Sequence, residues 1–499
     1  MKSNSMAKRI TTALLLAAMI LTTAACSDTP AADSGDTKQA QDTVLADNPE
    51  ETMEEVITDD LPERDYEGHE FMIYSTNDEG NTWYTTVFTT VEEDSAEAID
   101  SGIYNRNLKV GERFNITVKE TLVTLNDITN SIMAGDNAFD IALIKGADAL
   151  NLAQQKSIYD LKELQYINFD KPYWDQNAKT QLTMANKLYI GVGDFMTTHI
   201  DETIVMFFNK SLVTDYELEN PYDLIEKDQW TFDKMFELGQ SVIHDINGDG
   251  KYDDNDRFAF LSWSGVGYPY MFLASGEKYL SKNADDIPEI AFNSERFVSM
   301  FEKVVTMMHS DNDTFFYDAN VRSNTKGISN NHRVQEIMFP GNQALFWVEC
   351  TSWAKALRDM DADFGIVPSP KYDEAQTRYY NYCNQNFFAI SIPVTADAER
   401  TSIIVEALNS ESTSTVLSAY YEITLKTKYS RDEQSRAMLD IIFDSRSYDV
   451  GNVYFDGSVS SAIYTRAANN NTDIASYYAT IQKSLTKQIE KAIEKISVD

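Results

Sequence analysis

The most distinctive chemical pattern in the sequence is an acidic, glycine-containing segment at residues 245–256, which reads Asp-Ile-Asn-Gly-Asp-Gly-Lys-Tyr-Asp-Asp-Asn-Asp. Its oxygen-bearing residues follow the spacing of an EF-hand calcium loop, with a glycine at the sharp turn. This spacing brings several oxygens around one point, as Ca²⁺ prefers. The predicted metal ligands are Asp245, Asn247, Asp249, Lys251 through its backbone carbonyl, Asp253 and Asp256.

Two considerations limit this calcium prediction. Asp256 stands where an EF-hand loop usually has the longer glutamate, so its carboxylate reaches less far. An acidic surface turn is the alternative interpretation of the same residues. A bound Ca²⁺ would be structural, fixing the exit of the preceding helix, and would take no part in catalysis.

A second set of candidates combines flat aromatic rings with carboxylates near the ends of predicted strands. Sugar rings present apolar C–H faces that stack on aromatic rings, while carboxylates bind the surrounding hydroxyls. For each tryptophan taken singly, burial in the core is an equally good interpretation, and Trp230 and Trp347 are interpreted as core residues. The predicted ligand-binding residues are Trp83, Asp201, Trp263, Tyr268, Glu349 and Trp353. Of these, Trp263 and Tyr268 flank a glycine-rich segment that is predicted as a loop.

The sequence contains no recognisable catalytic motif. It has 5 histidines, none in an H-E-x-x-H zinc motif, and lacks both a phosphate-binding G-x-x-x-x-G-K and a nucleophilic G-x-S-x-G. We therefore predict that the protein is not an enzyme. A glycosidase needs only two carboxylates, however, so a surface glycoside hydrolase stays open as an alternative.

The amino terminus has the features of a bacterial lipoprotein signal. Lys2, Lys8 and Arg9 precede a short apolar run that ends in Thr-Thr-Ala-Ala before Cys26. Thr23 departs from the leucine usual at its position, and an ordinary cleaved signal is the alternative. We expect removal of residues 1–25 and lipid modification of Cys26, which would anchor the protein on the outer face of a cell membrane.

The residues after Cys26 predict a solvated tether, and the whole chain is strongly acidic. Residues 27–60 hold eleven acidic residues, one lysine and no aromatic residue, so they cannot bury enough surface to order themselves. The formal net charge of the whole chain is −37. Because binding nucleic acid needs clustered Lys and Arg, this composition excludes nucleic acid as a partner. Pairing of Cys350 with Cys383 is left open, with two separate buried thiols favoured.

The rest of the chain alternates between apolar runs typical of strands and stretches with helical periodicity. This order predicts an α/β fold with parallel strand pairing and helices on both faces. An apolar stripe that includes Phe297 and Met308 is interpreted as core, and Thr231 and Asp473 are predicted helix caps. Strands are predicted at residues 71–74, 116–118, 139–144, 187–191, 203–208, 258–263, 344–349, 364–367 and 387–392.

Several short motifs occur in an order that resembles the extracellular solute-binding proteins of carbohydrate ABC importers, of the maltodextrin-binding type. They are Phe-Phe-Asn-Lys at 207–210, the calcium-like loop, the run from Gly341 to Trp353, and the run from Phe364 to Pro370. The likeness extends from about Glu70 to the carboxyl terminus. In that family a tryptophan following a strand stacks on sugar, and Trp353 occupies the matching place, although Cys-Thr-Ser replaces the usual Gly-Pro before it.

The resemblance implies a two-lobed, hinge-linked type II fold that closes on its ligand. It implies crossings between the lobes near residues 194–205, 384–388 and 429. The predicted segments are a signal peptide at 1–25, a lipidated tether at 26–66, lobe 1 at 67–200 plus 386–428, and lobe 2 at 201–385 plus 429–499.

The resemblance also implies partners and a role. We expect a monomer that captures an extracellular oligosaccharide and delivers it to ABC permease subunits, with ATP hydrolysed by other proteins. A surface sensor or adhesin lipoprotein is a second alternative, beside the glycoside hydrolase.

Overall fold

The computed structural model describes residues 59–76, 89, 98–322, 325–328, 331–357, 360, 362–421 and 433–497. Within these residues the chain forms thirteen strands, of which nine build two main sheets. The strands are β1 (His69–Ser75), β2 (Ile116–Leu122), β3 (Ile141–Ile144), β4 (Ile204–Asn209), β5 (Phe258–Ser262), β6 (Leu280–Lys282), β7 (Pro288–Ile290), β8 (Phe316–Asp318), β9 (Ala344–Cys350), β10 (Phe364–Val367), β11 (Asn381–Tyr382), β12 (Ala389–Ser391) and β13 (Arg446–Ser447).

The helices cover both sheets, as the alternating pattern predicts. The longest, α17, closes the described chain. The α-helices are α1 (Ala98–Phe114), α2 (Leu125–Ala134), α3 (Gly146–Ala153), α4 (Gln176–Leu182), α5 (Thr198–Asp201), α6 (Lys210–Asp215), α7 (Pro221–Glu226), α8 (Phe232–Gln240), α9 (Ser264–Ala274), α10 (Glu295–Met308), α11 (Ser310–Asp313), α12 (Gln335–Met338), α13 (Ala398–Ser412), α14 (Glu433–Asp444), α15 (Val450–Val453), α16 (Ser460–Ala468) and α17 (Ile474–Ser497).

The first sheet has the order β12-β3-β1-β2 and the second the order β10-β4-β9-β5-β8. All strands of the first sheet come from the residues predicted for lobe 1, and all strands of the second from those predicted for lobe 2. The sequence prediction of an α/β fold is therefore confirmed. The boundaries of the lobes themselves stay a prediction.

Pairing within the sheets is mixed, which corrects the expectation of parallel strands alone. β1 pairs in parallel with β2 and β3, and β5 with β8 and β9. However, β12 is antiparallel to β3, and β4 is antiparallel to both β9 and β10. A helical crossover within one sheet makes consecutive strands parallel. β4 and β12 instead follow chain segments that arrive from the other sheet, so this constraint does not apply to them.

Two local predictions are wrong. Residues 187–191 form single bridges, such as that between Gly191 and Ile390, instead of a strand. The ring of Trp174 packs against Gly191, and the bridge from Gly191 to Ile390 does not extend into a ladder. The glycine-rich segment predicted as a loop after Trp263 is the helix α9, all of whose residues are buried. Packing on every side stabilises this helix in spite of Gly265, Gly267 and Pro269.

The predicted core and caps are confirmed. Trp230 and Trp347 are buried, and their indole N–H groups donate to Pro368 O and Gln335 Oε1. The stripe on α10, including Phe297 and Met308, is also buried. Thr231 caps α8 by accepting from the amide of Lys234.

Asp473 likewise accepts a hydrogen bond at the start of α17, from the amide of Ser476. No helix among the described residues combines the length and the apolar composition needed to cross a bilayer.

Candidate functional site

The two chain segments that connect the sheets lie side by side. Thr203 forms a bridge with Cys383, and the Asn384 amide donates to Glu202 O at 2.8 Å. Thr198 Oγ1 exchanges hydrogen bonds with the backbone of Phe388, at 3.1 Å in each direction. These bonds join the two predicted crossings, which we call the first crossing, near residues 194–205, and the return crossing, near residues 384–388. The third predicted crossing, near Tyr429, lies outside the described residues.

The first crossing also contacts the end of β9. The short helix α5 contacts the 3₁₀ helix Thr351–Leu357, which follows β9. Thr351 donates to Thr203 O through both its amide, at 2.9 Å, and its hydroxyl, at 2.7 Å. We call this meeting point of α5, the return crossing and the end of β9 the junction.

Two acidic residues end the first crossing. Asp201 is fully buried and accepts a hydrogen bond from the Tyr420 hydroxyl at 3.1 Å. Glu202 is 1% exposed, and its Oε2 accepts from Cys350 Sγ at 3.5 Å. Burial raises the pKa of Glu202 to about 8, and the nearby carboxylates Asp201 and Glu349 contribute to the rise.

A third carboxyl group, Glu349 at the end of β9, is also buried. Its Oε2 accepts from the Cys350 amide at 3.0 Å, and it accepts a further hydrogen bond from the Trp263 side chain. Burial raises the pKa of Glu349 to about 7, against the effect of these bonds. Trp263 is half-buried, and its ring lies so close to Gly265 that a Cβ there would be 2.1 Å from the ring. The indole ring can occupy this position because Gly265 has no Cβ.

Some polar atoms at the junction are buried without a hydrogen-bond partner among the described residues. They are Glu202 Oε1, Thr197 Oγ1, His199 Nδ1 and Ser352 Oγ. Each belongs to a residue at most 3% exposed. Because leaving a buried polar atom unpaired costs about 1–3 kcal/mol, native proteins keep few of them. These atoms cluster where α5 meets residues 351–357. A polar ligand bound there can supply the missing hydrogen-bond partners.

The first sheet contributes a cation near the same point. Lys145 follows β3, and its ammonium donates to Asn386 Oδ1 at 3.0 Å on the return crossing. It lies 5.9 Å from the centre of the Phe388 ring, and its charge acts to lower the pKa of Glu202. Groups from both sheets and from both crossings thus surround the junction.

A buried ion pair supports the crossings from the side. The Arg446 guanidinium on β13 donates to Asp175 Oδ2 at 2.7 Å and to Thr203 Oγ1 at 2.9 Å. Burial opposes ionisation of Asp175, but the charge of Arg446 holds the pKa of that carboxyl below its usual range. The neighbouring His199 is buried, and this burial together with Arg446 lowers its pKa to about 3. The imidazole is therefore neutral.

The predicted ligand residues fall into two groups. Asp201, Glu349 and Trp263 meet at the junction, and Trp353 lies beside it on the 3₁₀ helix, where its half-buried ring packs edge-on against Trp347 at 6.1 Å. Tyr268 is instead buried in α9, where its hydroxyl bonds His309 Nε2 at 2.9 Å. Trp83, Cys26 and the predicted tether up to residue 58 lie outside the described residues.

The sequence interpretation missed Glu202, Lys145 and Arg446. Glu202 directly follows Asp201, but its position depends on long-range bonds to β9 and to the return crossing. Lys145 follows a correctly predicted strand, so a search for polar residues at strand ends finds it. No local signal singles out Arg446, because its partners lie far away in the sequence.

The calcium-like loop is exposed and tightly hydrogen-bonded. Asp245 accepts from the amides of Gly248 and Gly250, whose φ values of 72° and 79° suit glycine. Asp256 is buried and accepts from the amides of Ile246 and Asp253. Among the described residues, no three or more His, Cys, Asp or Glu side chains form a group that could hold a metal ion. The spacing of the oxygen-bearing residues fits Ca²⁺. The hydrogen bonds that Asp256 accepts also hold the loop together, so calcium binding stays a prediction.

Cys350 and Cys383 are both buried and free. Burial raises the pKa of each thiol well above its usual value; Glu202 and Glu349 add to the rise at Cys350, whereas the charge of Arg446 opposes it at Cys383. Both thiols are therefore protonated and form no disulfide, the interpretation that the sequence favours.

Two α/β lobes with a polar, buried junction between them define a solute-binding protein of the type II class. The family model of the bacterial extracellular solute-binding proteins matches residues 109–434. The chain belongs to this family, as the resemblance in the sequence predicts. No curated protein matches the chain.

Solved structures share the fold at low sequence identity. A cyclo/maltodextrin-binding protein complexed with maltotetraose is 12% identical, with a TM-score of 0.52 over 86% of this chain and 97% of that one. A maltodextrin-binding domain from Bdellovibrio bacteriovorus, bound to maltotriose, is 13% identical over 86% of this chain and 97% of that one, with a TM-score of 0.47. UgpB from Mycobacterium tuberculosis, in complex with glycerophosphocholine, is 16% identical over 78% and 95%, with a TM-score of 0.49. Such identities establish the fold alone.

Proposed function

We propose that the chain is the lipid-anchored, substrate-binding component of an ABC importer and captures an extracellular oligosaccharide at the junction. The observation that carries this proposal is the group of buried, unpartnered polar atoms where the crossings meet the end of β9. A ligand hydroxyl can satisfy such atoms, and the half-buried rings of Trp263 and Trp353 lie beside them.

Closure of the two lobes around the ligand links ligand binding to transport. A ligand that contacts groups from both sheets binds the closed arrangement more tightly than the open one, and so shifts the protein toward closure. The permease can then distinguish loaded from empty protein. Membership of an extracellular family and the sugar complex of the cyclo/maltodextrin-binding protein support this assignment.

Thermal unfolding in a panel of oligosaccharides tests the proposal. A ligand present at about 100 times its Kd stabilises the folded state by about 2.7 kcal/mol. We expect at least one sugar to raise Tm, and Trp353→Ala to remove most of that rise. Tyr216→Ala is the matched control, because Tyr216 is a 38% exposed aromatic residue away from the junction. A panel without any effect on Tm contradicts the proposal.

Anchoring through Cys26 has a separate test. The wild-type protein and Cys26→Ser are expressed with a labelled fatty acid, and membrane and soluble fractions are compared. We expect the label and the membrane association only in the wild type. A labelled Cys26→Ser protein contradicts the assignment of this cysteine.

A surface glycoside hydrolase is the second candidate, because two buried carboxyl groups, Glu202 and Glu349, lie near each other with raised pKa values. Prolonged incubation with each sugar that binds, followed by product analysis, separates the two. Unchanged sugar supports capture, whereas shortened sugar that Glu349→Gln no longer produces supports hydrolysis.

A further inference from the structure

The two lobes also touch outside the junction, where the amino-terminal end of α3 meets the end of α15. Gly146, the first residue of α3, is buried against Val453, the last residue of α15. A Cβ atom added to Gly146 would lie 2.4 Å from Val453 Cγ1 and 3.1 Å from Val453 O. Because carbon atoms in contact are normally about 3.5–4.0 Å apart, this spacing leaves no room for a side chain on Gly146. We call this place the α3–α15 contact.

The two sides of the α3–α15 contact belong to different sheets. α3 follows β3, an inner strand of the first sheet, after the single residue Lys145. α15 is bound to the segment around β6, where Asp449 Oδ2 accepts from the Tyr279 amide at 2.9 Å. Gly451 packs against Leu280 in the same segment. That segment follows α9, which contacts β5 and β9 of the second sheet, so the α3–α15 contact limits how closely the two lobes approach.

The α3–α15 contact lies beside the junction, because the residue that precedes each of its two partners reaches the return crossing. On the α3 side, Lys145 donates to Asn386 Oδ1 at 3.0 Å, and its charge acts on the Glu202 carboxyl group. On the α15 side, Asn452 Nδ2 donates to Gln385 Oε1 at 3.0 Å. The distance between α3 and α15 therefore determines how closely groups from the first sheet approach the junction.

Neither partner of the contact can move aside without cost. Val453 is 1% exposed, and its branched Cβ restricts the side chain to few rotamers. The next residue, Tyr454, is also buried, and its hydroxyl donates to Leu182 O at 3.0 Å. On the other side, most residues of α3 are buried. Since protein interiors are packed as densely as organic crystals, an atom added at this contact must push the two sides apart.

The backbone conformation does not explain why residue 146 is a glycine. The φ angle of Gly146 lies outside the left-handed region, where glycine is favoured. Helix propensity by itself favours alanine over glycine. The close approach of Val453 gives a reason for a residue without a Cβ atom.

We propose that Gly146 is a positioning residue, which sets the closest approach of the two lobes and thereby the affinity for the ligand. This inference rests on the proposed function and adds a residue that acts on the same site. Any side chain at position 146 holds α3 and α15 apart, so the groups of the first sheet are drawn away from the junction. Because the apparent Kd rises as the binding-competent fraction of the protein falls, such a side chain weakens capture.

Small-angle X-ray scattering without sugar tests the geometry. The reference is the full chain with Cys26→Ser, which removes the predicted lipid site, and all variants are made in it. We expect the radius of gyration to increase from the reference to Gly146→Ala and further to Gly146→Leu, since separating two lobes moves their atoms away from the common centre. Adding Val453→Ala to Gly146→Ala removes the nearest obstacle and should return the radius of gyration to the reference value.

Gly457→Leu is the matched control. Gly457 lies in the 3₁₀ helix Asp456–Ser458, shortly after α15, and a Cβ added to it meets no atom of the described residues within 4 Å. The same glycine-to-leucine change should therefore alter neither the radius of gyration nor the affinity. If Gly146→Leu does not fold, Gly146→Ala and its rescue by Val453→Ala decide the test.

Titration calorimetry tests the effect on affinity, first with maltotetraose and then with each panel sugar that raises the Tm of the reference. We expect Gly146→Ala to bind about tenfold more weakly, and Gly146→Leu more weakly still. Val453→Ala should recover most of the loss in Gly146→Ala. A role of Gly146 confined to the stability of α3 predicts instead that the folded variants keep their affinity.

The outcomes separate this inference from the proposed function. An unchanged radius of gyration in both Gly146 variants contradicts the inference, as does an expansion that Val453→Ala does not reverse. Full affinity for a sugar in an expanded variant contradicts it as well. Scattering needs no ligand, so it judges Gly146 even when no sugar in the panel binds, a result that contradicts the proposed function alone.

Discussion

Glu202 shows how one residue acquires its properties from distant parts of the chain. Its carboxyl group is buried where the first crossing meets β9, next to Asp201 and within hydrogen-bonding distance of Cys350 Sγ. Burial of a carboxyl group favours its neutral form. The residue thus binds a proton in the folded protein at pH values where the unfolded chain has lost it.

This difference predicts how pH affects stability. Because the pKa of Glu202 is raised to about 8 in the folded protein, the folded state holds the extra proton above the ordinary glutamate pKa. Its contribution to stability is complete at low pH and is lost as pH rises through about 8. In the wild type relative to Glu202→Gln, we expect Tm to fall between about pH 5 and pH 9, since glutamine does not titrate.

Thermal unfolding of both proteins without ligand, across this pH range, measures the effect. Glu219→Gln is the control, because the exposed Glu219 pairs with Lys234 away from the junction. A Tm difference between the wild type and Glu202→Gln that stays constant with pH contradicts a buried, protonated Glu202.

The Asp175–Arg446 pair predicts a large loss of stability when one partner is removed. Arg446→Met leaves the Asp175 carboxylate buried without its cation, which typically costs about 3–5 kcal/mol. Chemical denaturation should show this loss, whereas Asp175→Leu combined with Arg446→Met should recover part of it. Lys119→Met is the control, because its pair with Glu70 is exposed and such pairs contribute about 1 kcal/mol or less. A loss for Arg446→Met no greater than for Lys119→Met contradicts the assigned role.

At the scale of elements, the sequence predicts what local chemistry determines. Apolar runs fix β4, β9 and β10 nearly to the residue, and the cap of α8 follows from Thr231 alone. Helix α9 does not follow from local chemistry, because its glycines suggest a loop and its stability comes from burial on all sides. The direction of each strand also cannot be predicted from the local sequence, because it depends on the side from which the chain enters the sheet.

The loop at residues 245–256 gives a prediction for one element. If it binds Ca²⁺, addition of Ca²⁺ to chelator-treated protein should raise Tm by mass action, and Asp245→Asn should weaken this rise. Mg²⁺ at the same concentration is the ion control, because it demands a smaller, octahedral site. An unchanged Tm with Ca²⁺ leaves the loop as an acidic turn closed by Asp256.

At the scale of the whole molecule, the order of the strands brings the candidate residues together at the junction. Asp201, Glu349 and Trp263 are far apart in the sequence, and they meet because β4, β9 and β5 are neighbours in the second sheet. The motif order predicts this two-lobed arrangement, and the search for aromatic and acidic residues at predicted strand ends finds three of the residues at the junction. It does not predict Lys145 or Arg446, whose positions result from packing between distant segments.

The central claim is that a polar solute binds at the junction and contacts both crossings and the end of β9. Hydrogen exchange of the full chain, with and without the sugar that raises Tm most, tests this claim directly. The account predicts slower exchange on sugar binding at residues 198–203, 351–357 and 384–388 together, and unchanged exchange at 245–256. Protection confined to other segments, or no protection at these three, would contradict it.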